Sequence, residues 1–566
     1  MQNYLEKTRV GFTFVRLVVL CAVASALCSG GRAAFGQDAQ RAERLRSYLG
    51  TKFSDRITRV SVGDKQIQIQ GRAQGDSGGL LLAEVPLWQD ATDLKTLVTA
   101  LPIHSDRQRH FACAINRFAD DGRDRLLSAW AVARKVEARY ETISALHYAD
   151  SEIVRANLPA ARPRSRKGLG GFPATSAYTD LEDLGIASFT MNILLNDIIA
   201  STPGPGRSAF SYGGRTWYKE DQVVADYDRN FQAIARRGLM LSVIILIRPA
   251  GNAPAGSWIR DAAHPDADPG GLYVMPNFTT RAGVEAYAAA MNFIAERYSR
   301  PDGKFGRIHH YIMHNEVNSG FYWTNAGAKN VVTYLDLYQK SMRLTYLIAR
   351  QYDPHAKPLI SLDHSWTAVP DPRSYAGRDL LDLLVRFSRV EGDYPWGVAF
   401  HPYAQDLLNP RTWEDSQAVF NLKTPYITFK NLEVLDAWAR QPEVCFRGKE
   451  PREIQLTEQG INSPDYSAKS LNEQAAGLAY AWKKIEPLKT ITAFQYHLWA
   501  DDPSEEGLRL GLRKFASDLK DPLGKKPAWY LFRSIGTLDW DKASAFALPI
   551  LGIKSWKEVP YPGKIH

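Results

Sequence analysis

From Gly168 to Leu498 the chain alternates short apolar stretches with segments of helical periodicity, and no other feature of the sequence constrains the fold as strongly. The apolar stretches are Gly168 to Gly171, Ala187 to Ile193, Met240 to Ile247, His309 to Asn315, Leu359 to Asp363, Gly397 to His401, Glu453 to Thr457 and Thr492 to Leu498. Between them, apolar residues recur at three- or four-residue steps, as in Val223, Tyr227, Phe231 and Ile234, or Val284, Ala288, Met291, Ala295 and Tyr298. Strands that alternate with helices form parallel sheets, because a parallel crossover needs the length of a helix. Eight such units predict an α/β fold of the closed (β/α)8 kind, a TIM barrel. An open doubly wound sheet is the alternative, but no Gly-x-Gly-x-x-Gly turn follows an early strand.

The region before the barrel has a different pattern. Val60 to Val62, Gln66 to Gln70, Leu80 to Val85, His110 to Asn116 and Leu126 to Ala133 are short strands separated by turn residues such as Gly63-Asp64. They predict a small β-rich, sandwich-like domain over residues 37–160, with a helix at Ala39 to Leu49. The barrel is expected over 161–540, followed by a C-terminal extension, 541–566.

At the N-terminus, Lys7, Arg9 and Arg16 precede an uncharged apolar stretch, Leu17 to Leu27, and then small residues from Ser29 to Ala34. That order predicts a cleaved signal peptide over 1–36 and a secreted or periplasmic protein. The apolar core falls short of the about 20 residues that span a bilayer, so no stable membrane anchor is expected. Without this leader, the formal charge of +9 drops to +6, since Lys7, Arg9, Arg16 and Arg32 leave with Glu6. Basic and acidic residues are interspersed, which argues against a nucleic-acid partner. The one basic cluster, Arg162-Pro-Arg164-Ser-Arg166-Lys167, reads as a solvated linker. Cys113 and Cys445, in different predicted domains, suit two free thiols better than a disulfide framework.

In a (β/α)8 barrel the chemistry sits at the C-terminal ends of the strands. Two acids stand there. Strand four, His310 to His314, runs into Asn315-Glu316-Val317-Asn318, and strand seven, Glu453 to Thr457, runs into Glu458-Gln459-Gly460. Either glutamate alone is more often a surface or capping group; the pair at ends four and seven is the informative observation.

The Asn-Glu after strand four and the Thr-Glu-x-Gly after strand seven resemble the signature of the clan A retaining glycoside hydrolases, which include cellulase-, xylosidase- and iduronidase-type enzymes. The resemblance covers about Gly168 to Asp501 and rests on these motifs. It implies Glu316 as acid/base and Glu458 as nucleophile. It also implies that His401 and Tyr403, in His401-Pro402-Tyr403 after strand six, touch substrate or nucleophile, and that Trp499 after strand eight stacks on a sugar.

The residue types suit that chemistry independently. Cleaving a glycosidic bond through an oxocarbenium-like state needs one carboxylic acid to protonate the departing oxygen and one carboxylate to meet the anomeric carbon. Asn315 can donate its amide N–H to a sugar 2-hydroxyl, and Tyr403 can hold Glu458 ionised by donating to it. Period-two alternation turns His314, Gln495, His497 and Trp499 toward the barrel interior, where packing is at least as good a role for the histidines as substrate contact. Phe321-Tyr322-Trp323, just beyond Glu316, is the aromatic set best placed to wall a carbohydrate site, with Tyr322 and Trp323 as contacts. His264, Asp266 and Asp268 lack the Glu that closes a calcium loop, so they read as a solvated turn; no metal and no cofactor are expected. The expected partner is a carbohydrate, and the oligomeric state stays open. Two other classes fit the same strand ends: a barrel esterase or lyase, although no Gly-x-Ser-x-Gly elbow or His-Glu-x-x-His helix is present, and a non-catalytic carbohydrate-binding barrel.

Overall fold

The structure, a computed structural model, describes residues 28–74, 79–151 and 153–566, with side chains from residue 36 onward. The charged and apolar parts of the expected signal peptide lie outside the described residues. No described helix is long and apolar enough to cross a membrane. Helix α1 (Cys28–Gly50) starts earlier than its periodicity suggested and buries Ala42, Leu45 and Leu49.

Seven strands follow: β1 (Arg56–Val62), β2 (Gln66–Arg72), β3 (Leu80–Pro86), β4 (Thr99–Pro102), β5 (His110–Asn116), β6 (Ser128–Val136) and β7 (Arg139–Thr142). They form two antiparallel sheets, ordered β1-β2-β5 and β4-β3-β6-β7. In β2, Ile67 and Ile69 are buried while Gln66, Gln68 and Gln70 face solvent, and Leu82, Trp130 and Val132 join them in one core. The sequence did not announce β4 or β7. Neither carries a fully buried side chain, and the β6–β7 turn has no Gly or Asn to mark it, since Glu137 itself takes the positive φ of 52°.

The barrel strands are β8 (Lys167–Gly170), β9 (Ser188–Leu194), β13 (Met240–Leu246), β14 (His310–Met313), β15 (Lys357–Asp363), β16 (Gly397–His401), β17 (Ile454–Gln459) and β18 (Ile491–Tyr496). All pair in parallel, and β18 closes on β8. Each of the eight expected strands is present. The chain between β9 and β13 adds a small antiparallel sheet, β10 (Ile199–Ala200), β11 (Arg207–Tyr212) and β12 (Arg215–Glu220). The helices that cover the barrel are α2 (Asp221–Arg236), α3 (Arg281–Arg297), α4 (Val331–Tyr352), α5 (Gly377–Glu391), α6 (Glu433–Ala439), α7 (Ala468–Ile485) and α8 (Pro527–Ser534); after β8 there is one turn only, Asp180–Asp183. Helix α1 packs on α4, where Arg41 Nη2 meets Asp336 Oδ2 at 2.7 Å.

Inside the barrel, Ile244, Leu246, Ile312, Leu359 and Ala399 form an apolar plug. Toward the strand starts lies a polar layer: Ser242 Oγ donates to Gln455 Oε1 at 3.0 Å, and Gln455 Nε2 lies 3.1 Å from His310 Nε2. Cys113 and Cys445 are free thiols.

The segment after β18 is fastened by a fully buried ion pair, Lys526 Nζ to Asp501 Oδ1 at 2.7 Å. Asp501 also accepts from Tyr466 Oη at 2.7 Å and from the Gly511 N–H at 2.7 Å. Removing one partner of such a pair leaves a buried charge uncompensated, which costs about 3–5 kcal/mol. Lys526→Met should therefore lower the thermal unfolding midpoint clearly, and Lys526→Met/Asp501→Asn should recover part of the loss. A midpoint unchanged in the single variant would show that the pair does not hold this segment.

Candidate active site

The two strand-end glutamates reach one another because both strands end irregularly. Strand β14 stops at Met313, and there the period-two alternation stops too. His314, expected inside the barrel, is turned outward against Tyr287 of α3 and Tyr338 of α4, with Nδ1 2.8 Å from the Ile245 carbonyl. Two residues on, Glu316 takes a positive φ of 34°. A non-glycine residue there costs of order 1–3 kcal/mol and persists only when its surroundings fix it. Strand β15 does so: the Glu316 N–H donates to Ser361 Oγ at 3.0 Å, and the Val317 N–H to the Ser361 carbonyl at 2.9 Å. On the other side, the β17–β18 register shifts between Leu456 and Gln459, and the irregularity carries Thr457 and Glu458.

His401, at the end of β16, links the two ends. Its Nδ1 lies 2.8 Å from Glu316 Oε1 and its Nε2 3.1 Å from Thr457 Oγ1. Tyr403 Oη donates to Glu458 Oε1 at 3.2 Å. One oxygen of Glu316, one of Glu458 and a ring nitrogen of His401 all lie within 4.8 Å of one another. Among the described residues this is the one group whose atoms could share a metal ion. Its members already serve one another and their neighbours Thr457 and Tyr403 as hydrogen-bond partners.

The environments of the two acids differ. Burial, and then the charge of Asp363, raise the Glu316 pKa well above the ordinary carboxylate value; His497 and the Trp323 indole pull the other way. Burial keeps the His401 pKa low despite Glu458 and Asp363, so the ring is neutral. With Glu316 protonated, its O–H can donate to Nδ1 while Nε2–H donates to Thr457, a set in which each donor finds an acceptor. Burial also opposes charge on His497, but Glu458, the 3.0 Å contact from Nε2 to Glu505 Oε1 and Asp502 outweigh it, and the pKa rises to about 9. Tyr403 stays a phenol, its pKa raised by burial and by Glu458.

The residues singled out from the sequence separate into two groups. Glu316, Glu458, His401, Tyr403 and Trp323 converge, and the buried Asn315 adjoins them with its side-chain Oδ1 lacking a partner. Trp323 stacks on Tyr273 at 5.9 Å. Tyr322 instead is exposed and lies against Phe321 and Arg373. Trp499 is only 6% exposed and is wedged between Phe172 and Tyr178, with ring centroids at 5.1 and 5.0 Å. The strand-eight residue whose charge reaches the glutamates is His497. It is held close by Gly460, where a Cβ would stand 2.1 Å from the His497 carbonyl oxygen. The supposed solvated turn at His264 is in fact pinned: His264 is buried, and Asn325 Oδ1 accepts from the Asp268 N–H at 2.9 Å.

Asp363 was missed. It ends β15 and accepts from Asn318 Nδ2, Ser319 Oγ and the Ser365 N–H, each at 2.6 Å. The rule that picked out Glu316 and Glu458, an acid at a strand's C-terminal end, applies to it equally. Asp363→Asn can preserve most of these contacts while removing the charge. In a carboxyl-labelled NMR titration, Glu316 should titrate above the ordinary carboxylate range in the parent protein and at lower pH in Asp363→Asn. An unmoved titration would remove Asp363 from the electrostatics of the site.

Several solved structures resemble this one. A family 39 glycoside hydrolase from the gut symbiont Bacteroides cellulosilyticus WH2 is 14% identical over 85% of this chain and 83% of its own, with a TM-score of 0.41. GH5_18 from Streptomyces cattleya, solved with GlcNAc, is 15% identical over 71% and 83%, with a TM-score of 0.39. A family 1 β-glucosidase from Thermotoga maritima is 12% identical over 64% and 85%, with a TM-score of 0.36. No curated protein matches the sequence. The sequence pattern described as Family of unknown function (DUF5722) matches residues 159–559, a span that contains every barrel strand, and the chain belongs to that family.

Proposed function

We propose that this protein is an exported glycoside hydrolase that works by retaining double displacement, with Glu316 as acid/base and Glu458 as nucleophile. The observation that carries the reading is the approach of the two carboxylates, within 4.8 Å at their nearest oxygens, in environments that favour a proton on one of them. Retaining pairs stand about 5–5.5 Å apart, whereas inverting pairs leave about 6.5–9.5 Å for a water.

In this mechanism protonated Glu316 gives its proton to the departing glycosidic oxygen while Glu458 attacks the anomeric carbon. Formation of the glycosyl–enzyme bond neutralises Glu458, and Glu316 then takes a proton from the incoming water. Tyr403 orients Glu458, His401 orients Glu316, Asn315 meets the sugar 2-hydroxyl, and Trp323 offers an aromatic wall. A protein destined for the cell exterior or periplasm would meet such glycans there.

A screen of chromogenic glycosides and polysaccharides with the mature chain supplies the substrate. On it, Glu458→Ala should abolish turnover. Glu316→Ala should lose about 10²–10⁴-fold on poor leaving groups, the usual contribution of a general acid, and much less on activated aryl glycosides. Azide should rescue Glu316→Ala with retained anomeric configuration; any rescue of Glu458→Ala should invert it. The opposite stereochemistry would exchange the roles. Full activity in both variants would end the mechanism, and glycan binding without turnover would favour a carbohydrate-binding barrel.

A further inference from the structure

At the barrel mouth opposite the glutamates, beside the strand starts, lies a cavity of about 750 Å³. Six arginines and two lysines line it, against two acids, Asp353 and Glu453. Four of the cations are neutralised. Arg307 Nη2 meets Asp353 at 2.8 Å, Lys357 meets Glu453, Arg440 Nε meets Asp436 at 2.7 Å, and Arg452 Nη2 meets Asp393 at 2.6 Å. Arg162, Arg166 and Lys489 have no carboxylate within ion-pair distance among the described residues. Arg166 is held at the rim by donating to the Ile485 carbonyl.

The linker Arg162-Pro-Arg164-Ser-Arg166-Lys167 is therefore not simply solvated. It runs along this mouth, with Arg162 and Arg166 on the cavity, Arg164 Nη2 donating to the Ile186 carbonyl at 3.3 Å, and Lys167 turned inward to the Ile535 carbonyl at 3.2 Å. No Phe, Tyr or Trp lines the cavity, and the rings on its wall are the imidazoles of His309, His310 and His355. The apolar plug of Ile244, Leu246, Ile312, Leu359 and Ala399 separates it from the glutamates, so it is not a rear extension of that site. Its volume falls in the range of ligand pockets.

We propose that this cavity binds a multiply charged oxyanion ligand, with sulfate, phosphate or carboxylate groups forked by Arg162 and Arg166 and met by Lys489. Guanidinium groups suit such oxyanions because their planar N–H pairs match two oxygens at once. The source is either free phosphate or charged groups on a glycan. This site is independent of the glycosidase reading, and its test needs no turnover.

The test is calorimetric titration of the full chain at low salt with inorganic phosphate, a heparin-derived hexasaccharide, neutral cellohexaose and a DNA duplex. Each is repeated with Arg162→Ser/Arg166→Ser/Lys489→Ser. A second triple, Lys52→Ser/Arg56→Ser/Arg59→Ser, removes the same charge from exposed positions of the N-terminal domain. The cavity triple should weaken binding of phosphate or the hexasaccharide by about tenfold or more, through lost charge-assisted hydrogen bonds, and flatten its salt dependence, while the remote triple binds like the parent. Matched thermal midpoints exclude misfolding as the cause. Binding of phosphate alone identifies the free anion as the source; tighter binding of the hexasaccharide identifies the glycan. The proposal is overturned by equal weakening in both triples, by no weakening in the cavity triple, or by no anion binding at all. It is also overturned if cellohexaose or DNA, rather than the two anion probes, is the ligand whose binding the cavity triple impairs.

Discussion

Closure of the barrel is the constraint on which the rest depends. The pairing of Phe494, Gln495 and Tyr496 with Lys167, Gly168 and Leu169 joins the last strand to the first and leaves no exposed sheet edge. Gly168 makes that approach possible, since a Cβ there would stand 2.4 Å from Gln495 Cγ. Once closed, eight parallel strands deliver every C-terminal end to one rim. Residues more than a hundred positions apart, such as Glu316 and Glu458, then meet without any local sequence relation.

The rim is crowded with acids, and the consequences are electrostatic. Glu316, Asp363, Glu458 and Glu505 face a neutral His401 and a protonated His497. Like charges at short range disfavour a full set of ionised carboxylates, and burial adds to the cost of charge. At Glu316 burial and the Asp363 charge raise the pKa, and Glu458 has the Tyr403 hydroxyl and the His497 charge beside it. Because both residues are glutamates, the raised pKa of Glu316 arises from its surroundings.

The opposite mouth collects charge of the other sign. Nothing in the plug of Ile244, Leu246, Ile312, Leu359 and Ala399 conducts between the two, so one barrel carries an acid-lined and a base-lined end, separated by apolar packing. Six arginines and two lysines that looked dispersed along the chain are brought to that mouth by the fold.

Much of this was legible in the chain. Period and composition marked all eight barrel strands, because strands buried on both faces are mostly apolar. The position of Glu316 and Glu458 just past two of those strands marked the site, because strand direction dictates the rim. What tertiary structure alone decided is orientation. His314 left the barrel interior because its strand ended one residue earlier than alternation assumed. His497 reached the glutamates while Trp499 was buried beside Phe172, since the chain past Tyr496 no longer follows a strand's period. Asp363 became a partner of Glu316 through contacts with Asn318 and Ser319, 45 and 44 residues away in the chain. A sequence determines which side chains arrive at a surface through its periodicity. The direction each one faces and the proton it keeps depend on neighbours that only folding brings near.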